Sequence, residues 1–238
     1  WVYRVATSGS CRVIRASTRS NHFNPDFYVQ TLAESYDGVK AAQEIEGEFV
    51  DTSGALMKRS WFRPWEGDLP EKLILCRAWD SAATEGGGDY TCGLLIGVIA
   101  GTDKMIIIDR KYGQYSAESV DAWIKTTADD DGQKVAVVLE QEPGSAGKRL
   151  LAQQVKALHG HRVHWYSPGA RKLARAVPVA RAAAQGRVFY VKADWNESFL
   201  TEIESFTGTS ADAHDDQVDA LSLGFGHLEG NVRRVIVA

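Results

Sequence analysis

Apolar residues are distributed differently in two parts of the chain. From Glu71 onward they form short dense runs closed by polar or turn residues, whereas before residue 70 they are scattered. Leu73–Asp80 is an apolar run of strand length that ends on a carboxylate. Thr91–Ala100 and Lys104–Lys111 are two more, separated by Gly101-Thr102-Asp103, a hairpin-like turn. Short connections of this kind predict a three-stranded antiparallel meander. Ser116 opens a helical spacing through Val120, Trp123, Ile124 and Thr127. Val135–Leu139 is uniformly apolar, as a strand covered on both faces is. Ser145–Leu158 places Leu150, Leu151, Val155 and Leu158 on one helical stripe, and Arg162–Tyr166 reads as a fifth strand. Arg171–Gln185 is a basic helix expected to break near Pro178 and to stop at Gly186. A short extended piece, Val188–Val191, precedes helices at Asn196–Phe206 and Asp215–Leu228.

The first 70 residues lack this regularity. Val2–Ile14 has strand character, and Thr18–Pro25 is polar and rich in turn residues. Asp26 is placed to cap a helix carrying Phe27, Leu32 and Tyr36, and Ala41–Glu46 reads as a short helix closed by Gly47. The expected organisation is therefore a segment 1–70, the tail of a preceding domain plus a connector, and an α/β domain 71–238. That domain has a mixed five-stranded sheet, three antiparallel strands followed by parallel additions, flanked by helices. This order of elements is that of an RNase H-like domain, and order alone licenses no function.

Composition narrows the class. The 238 residues are 44% hydrophobic and 24% charged, as in globular proteins. No apolar run reaches the roughly 18 residues that a membrane span needs. The chain begins with Trp1 and shows no signal-peptide pattern, so it is expected to be a piece of a longer, cytoplasmic chain. Cys11, Cys76 and Cys92 are scattered, without the spacing of a disulfide framework or a zinc site. Net charge is −4, yet the charged residues from Arg171 to Lys192 are all basic.

Three stretches carry the candidate chemistry. Asp80 ends the first core strand, Glu140 and Glu142 end the fourth, and His214-Asp215-Asp216-Gln-Val-Asp219 opens the last helix. Asp216 and Asp219 are three apart, so both project from one face, while Asp215 is rotated by about 100° from Asp216. Helix-dipole stabilisation accounts for an acid in the first turn but not for Asp219, which is followed by Ala220-Leu-Ser-Leu on a packed face. Carboxylates brought together repel unless a cation lies between them. Mg²⁺ or Mn²⁺ prefers such hard oxygen ligands, and two such ions roughly 4 Å apart serve phosphodiester hydrolysis. Glu142-Pro-Gly-Ser-Ala-Gly147-Lys148-Arg149 does not have the spacing of a nucleotide-binding P-loop, since two residues rather than four separate its glycines and Arg149 stands where Ser or Thr is required. No ATPase motif is therefore read in this chain.

Trp79-Asp80-Ser-Ala, Glu140-Gln-Glu-Pro-Gly-Ser-Ala-Gly-Lys148 and His214-Asp-Asp-Gln-Val-Asp-Ala-Leu-Ser222 resemble the nuclease domain of bacteriophage large terminase subunits. Lys172-Leu-Ala-Arg175-Ala-Val-Pro178 with Gly186-Arg-Val188 is similar to the same family, and Gln43–Phe49 resembles the end of its ATPase domain. The resemblance implies a metal-dependent endonuclease that cuts concatemeric double-stranded viral DNA during genome packaging, with little sequence preference. It implies Asp80, Glu140 and Asp216 as the catalytic, metal-binding triad, with Asp215 and Asp219 in support and Glu142 as an alternative ligand. Lys148, Lys172 and Arg175 are implied as DNA contacts, and two divalent cations, Mg²⁺ or Mn²⁺, as cofactors. The terminase ATPase domain, the small terminase subunit and the portal protein are the implied partners, in the host cell cytoplasm, with the isolated domain a monomer. Two other readings fit part of the pattern: an RNase H-like Holliday-junction resolvase or transposase, and a non-catalytic module that docks DNA or the portal.

Overall fold

The computed structural model describes residues 55–82, 89–141, 144–167, 172–209, 212 and 214–236, with 230–236 as backbone only, and six positions between 17 and 25. The chain divides into two compact units, Trp1–Gly54 and Ala55–Ala238, and the fold below is that of the second. The strands expected in Val2–Ile14 and the helices expected after Asp26 and at Ala41–Glu46 lie outside the described residues.

The second unit is built on a single sheet. In chain order its strands are β1 (Arg63–Pro64), β2 (Leu73–Asp80), β3 (Thr91–Ile99), β4 (Met105–Gly113), β5 (Ala136–Glu140), β6 (Val163–Tyr166) and β7 (Val188–Tyr190). Its helices are α1 (Ala117–Asp131), α2 (Gly144–Ala157), α3 (Lys172–Ala184), α4 (Asn196–Ser205) and α5 (Asp216–Ile236). The spatial order is β1-β7-β4-β3-β2-β5-β6. The β2-β3-β4 meander is antiparallel, and β5 lies parallel beside β2, as the pattern predicts. The sheet has seven strands rather than five. The two extra strands hold two and three residues, too few to show alternation, and they form by parallel pairing of β1 with β7 and β7 with β4.

The expected division at residue 70 moves to 54/55. Met57 and Phe62 are buried in the main core, Phe62 meets Phe199 edge-on at 6.2 Å, and the Leu56 N–H donates to Phe206 O at 2.9 Å. These residues close the end of the sheet, so they belong to the domain they precede.

Strand parity sorts the side chains of β2. Cys76 and Ala78 face the core beneath α3, α4 and α5, whereas Trp79 faces the smaller core beneath α1 and α2. Arg77 points the same way as Trp79 and is 2% exposed. It is held by Asp131, by Asp109 at 2.9 Å and by the Gly93 carbonyl at 3.2 Å. Trp79 lies so close over β3 that a Cβ on Gly93 would come within 2.6 Å of its ring. On the opposite face α5 crosses β2 and β3 just as tightly, and a Cβ on Gly224 would meet Ile96 at 2.6 Å and Ala78 at 3.1 Å.

Helix α3 is not interrupted at Pro178. Ala174 and Pro178 both lie on its exposed side, where solvent can take the carbonyl that the missing proline N–H leaves unpaired. The helix ends at Gly186, whose φ of +70° and N–H to Ala183 O at 2.8 Å make the predicted stop.

Candidate active site

The acids meet where strand ends and one helix start converge. Asp80 has the parity of Cys76 and Ala78, and Glu140 that of Ala136 and Val138, so both carboxylates face α5. Pairing of Trp79 with Leu139 places Asp80 and Glu140 side by side at the end of neighbouring parallel strands. The first turn of α5 lies over that end. The result is a cleft of about 350 Å³ lined by Asp80, Asp89, Glu140, Asp215, Asp216 and Asp219, with Lys172 and Arg175 as its only cations among the lining residues.

The start of α5 is fixed by a residue the sequence pattern does not mark. Glu202 of α4 is buried, and one of its oxygens accepts the N–H groups of Gln217 at 2.7 Å and Val218 at 3.2 Å. It thereby satisfies amides that the first turn of a helix leaves without partners, and it also accepts from the Gln217 side chain. Burial raises the Glu202 carboxyl above its ordinary range, against the opposing effect of these bonds.

Six carboxyl groups against two cations make the cleft acidic. Arg175 forks between Glu140 and Asp219, reaching the latter at 3.0 Å, and Lys172 bridges Asp215 at 2.8 Å and Asp219 at 3.0 Å. Burial alone disfavours both cations, but their carboxylate partners outweigh it and hold each above its usual pKa. Asp80 is raised well above the carboxylate range by burial, then by Asp219, Glu140 and Asp216. Asp216 is 3% exposed and is pushed up to about 7 by burial, then by Glu202, Asp89 and Asp215. Its Oδ1 accepts the Tyr90 N–H at 3.2 Å, while its buried Oδ2 has no hydrogen-bond partner. Asp219, 4% exposed, is raised mainly by burial, with Arg175 and Lys172 opposing.

The predicted acids Asp80, Glu140, Asp215, Asp216 and Asp219 are thus brought together, with Lys172 and Arg175 among them. Lys148 is exposed on α2 and does not line the cleft. Glu142 lies outside the described residues, so its standing as an alternative to Glu140 is open. His214 turns away from the acids, edge-on to Tyr90 at 5.3 Å, and lines a neighbouring cleft with Tyr112. Asp89, the Tyr90 amide and Glu202 escape a sequence reading. Asp89 and Tyr90 follow a glycine-rich connection without periodicity, and Glu202 sits in a helix with Glu197 and Glu204, where each acid reads as solvated.

A divalent cation fits this donor set in kind, because every acidic ligand offers hard oxygen and Asp216 Oδ2 is buried without a partner. Among the described residues, no three acidic, histidine or cysteine side chains are already drawn into a coordination cage. Arg175 and Lys172 hold Glu140, Asp215 and Asp219 instead.

A mixed sheet of this order, with acids at the ends of its first and fourth long strands and on its last helix, defines an RNase H-like fold. The family model of the terminase RNase H-like domain matches residues 77–228, and the chain belongs to that family. The terminase nuclease domain of human cytomegalovirus is similar in structure at a TM-score of 0.53 and 15% identity, covering 73% of this chain and 94% of that one. The P22 large terminase nuclease domain gives 0.52 and 15%, covering 74% and 91%. The large terminase nuclease of thermophilic phage G20c, with bound magnesium, gives 0.50 and 18%, covering 74% and 95%. At these identities the likeness is one of fold. No curated protein matches the chain by sequence.

Proposed function

We propose that this chain is a metal-dependent endonuclease that cuts double-stranded viral DNA during genome packaging. The observation that carries the reading is the buried, unpartnered Oδ2 of Asp216 in a cleft where acids outnumber cations. Such a cleft lacks positive charge, and the family relation and the metal-bound neighbours, one with magnesium and one soaked in manganese, support a divalent cation as its source. Asp80, Glu140 and Asp216 would hold two such ions, with Asp215 and Asp219 in support. When bound, the ions supply charge neutralisation at a phosphodiester and a more acidic ligated water.

The remaining chemistry falls to the protein. The two strand ends fix Asp80 and Glu140, and Glu202 fixes the helix start that presents Asp216 and Asp219. Arg175 and Lys172 orient Glu140, Asp215 and Asp219 and bring positive charge to the place where a phosphate would lie. Among the described residues no element has the form of a base-reading motif, which supports weak sequence preference. The packaging ATPase domain, the small terminase subunit and the portal are the partners this reading carries, with residues 1–54 as the remnant of the motor end.

Supercoiled plasmid incubated with the protein and Mn²⁺ or Mg²⁺ is expected to be linearised and degraded. EDTA, or Asp80→Ala in protein with an unchanged circular dichroism spectrum, is expected to stop it. Cleavage that survives either change would sink the proposal. Folded wild-type protein inert with both metals would favour a docking module.

A further inference from the structure

The acid cleft lies against a part of the chain with the opposite charge. Residues 143–192 contain ten Lys and Arg and not one Asp or Glu. Subtracting those ten from the total of 27 leaves 17 basic residues against all 31 acids elsewhere. A net charge of −4 therefore conceals a strongly basic block. That block folds as α2, β6, α3 and β7, and of these α2 and β6 lie at the outer edge of the sheet next to β5, whereas α3 runs from there toward β7.

Not all of this charge is available to a partner. Lys172 and Arg175 are engaged with the acids of the cleft, and Arg162 donates to the Lys134 carbonyl. Lys148, Arg149 and Lys156 of α2 and Arg181 of α3 are exposed, and the described residues give them no acidic partner. Val155 of α2 and Val163 of β6 both pack against the smaller core, so α2 covers the face of the sheet that includes β6, and Lys148 lies two turns before Val155 on the same side of the helix. The strand itself presents two large aromatic side chains to solvent, Trp165 at 50% and Tyr166 at 44% exposure. Tyr166 is the register partner of Glu140 and shares its face, with its hydroxyl 2.9 Å from His227 Nδ1, whereas Trp165 points to the face that carries α2. A basic surface interleaved with exposed aromatics is the footprint of nucleic-acid binding, since phosphate contacts supply affinity without sequence.

We propose that the outer edge of the sheet, strand β6 with α2 beside it, seats double-stranded DNA. Lys148, Arg149 and Lys156 contact its phosphates, and Trp165 packs against its backbone at the strand edge. This rests on the nuclease reading for its choice of DNA, but its test is separate, because binding is measured without metal or cleavage.

The test uses fluorescence anisotropy of a short labelled duplex with the full chain in EDTA, across a salt series. The triple variant Lys148→Gln, Arg149→Gln and Lys156→Gln is expected to bind at least about tenfold more weakly, with the slope of log affinity against log salt reduced by about 3. Trp165→Ala is expected to weaken binding several-fold with the slope unchanged. A control that neutralises Lys104 and Lys111, on and beside the meander, is expected to bind as wild type, and thermal melting checks that each variant is folded. Wild-type affinity in the triple variant, or an equal loss in the control, would overturn the assignment, as would wild-type protein that does not bind duplex. Protein that binds through this face yet never cuts with Mn²⁺ would leave the face standing and remove the nuclease reading.

Discussion

Asp216 is the residue at which stability and the proposed function oppose each other. Its carboxyl has an ordinary unfolded value, 3.8, and is raised to about 7 in the fold. Between these values the folded state binds more protons than the unfolded one, so stability falls as pH rises and levels off above about 7. The sign is opposite to that of a salt-bridged acid, because burial and neighbouring acids penalise the charge. Metal-free protein is accordingly expected to be more stable near pH 5 than near pH 8, with Asp216 contributing about 1–3 kcal/mol to the difference. Asp216→Asn keeps the shape without the charge. It is expected to flatten that part of the profile and to raise the melting temperature of metal-free protein near pH 8, while abolishing cleavage. A divalent cation should raise the melting temperature of wild type and have less effect on the variant, since a ligand that binds only the folded state stabilises it. A wild-type profile that rises between pH 5 and 8 and is unchanged in the variant would contradict this account.

The elements that could be read from sequence were those whose own pattern determines them. Leu73–Asp80 is a strand by its apolar run, and its terminal carboxylate is conspicuous because nothing local requires it. Asp216 and Asp219 share a helix face by spacing alone. What was hidden depends on partners distant in the chain. Arg77 meets Asp131 across 54 residues, and β1 and β7 exist only because each has the other to pair with. Glu202 is the clearest case, since its role is to complete a different helix. Glu202→Ala leaves two backbone N–H groups at the start of α5 without their acceptor. It is expected to lower stability by about 2–4 kcal/mol in chemical denaturation and to reduce cleavage out of proportion, because the acids of that turn lose their placement. Glu202→Gln keeps an acceptor oxygen and should lose less on both counts. Equal activity in Ala and wild-type proteins would show that the turn is held by packing alone.

For the molecule as a whole, the boundary at 54/55 makes a comparison possible. A chain of residues 55–238 is expected to fold by itself with a cooperative melt. One of residues 71–238, although it begins at the first long strand, lacks Met57 and Phe62, which are fully and almost fully buried. It should be less stable by about 3–6 kcal/mol from that lost burial. Equal melting temperatures would place residues 55–70 outside the domain. Among the described residues the same sheet also has two margins without a further paired strand, which in principle allow uncontrolled strand-by-strand association with other copies. One margin is β1, two residues long, where Pro64 has no amide to donate. The other is β6, only four residues long, with the basic residues of α2 beside it. Short, proline-blocked or like-charged margins resist edge-to-edge growth. Concentrated preparations should therefore remain free of cross-β aggregates, and neutralising the charge around β6 would expose the protein to aggregation as well as weaken the DNA binding proposed for that edge.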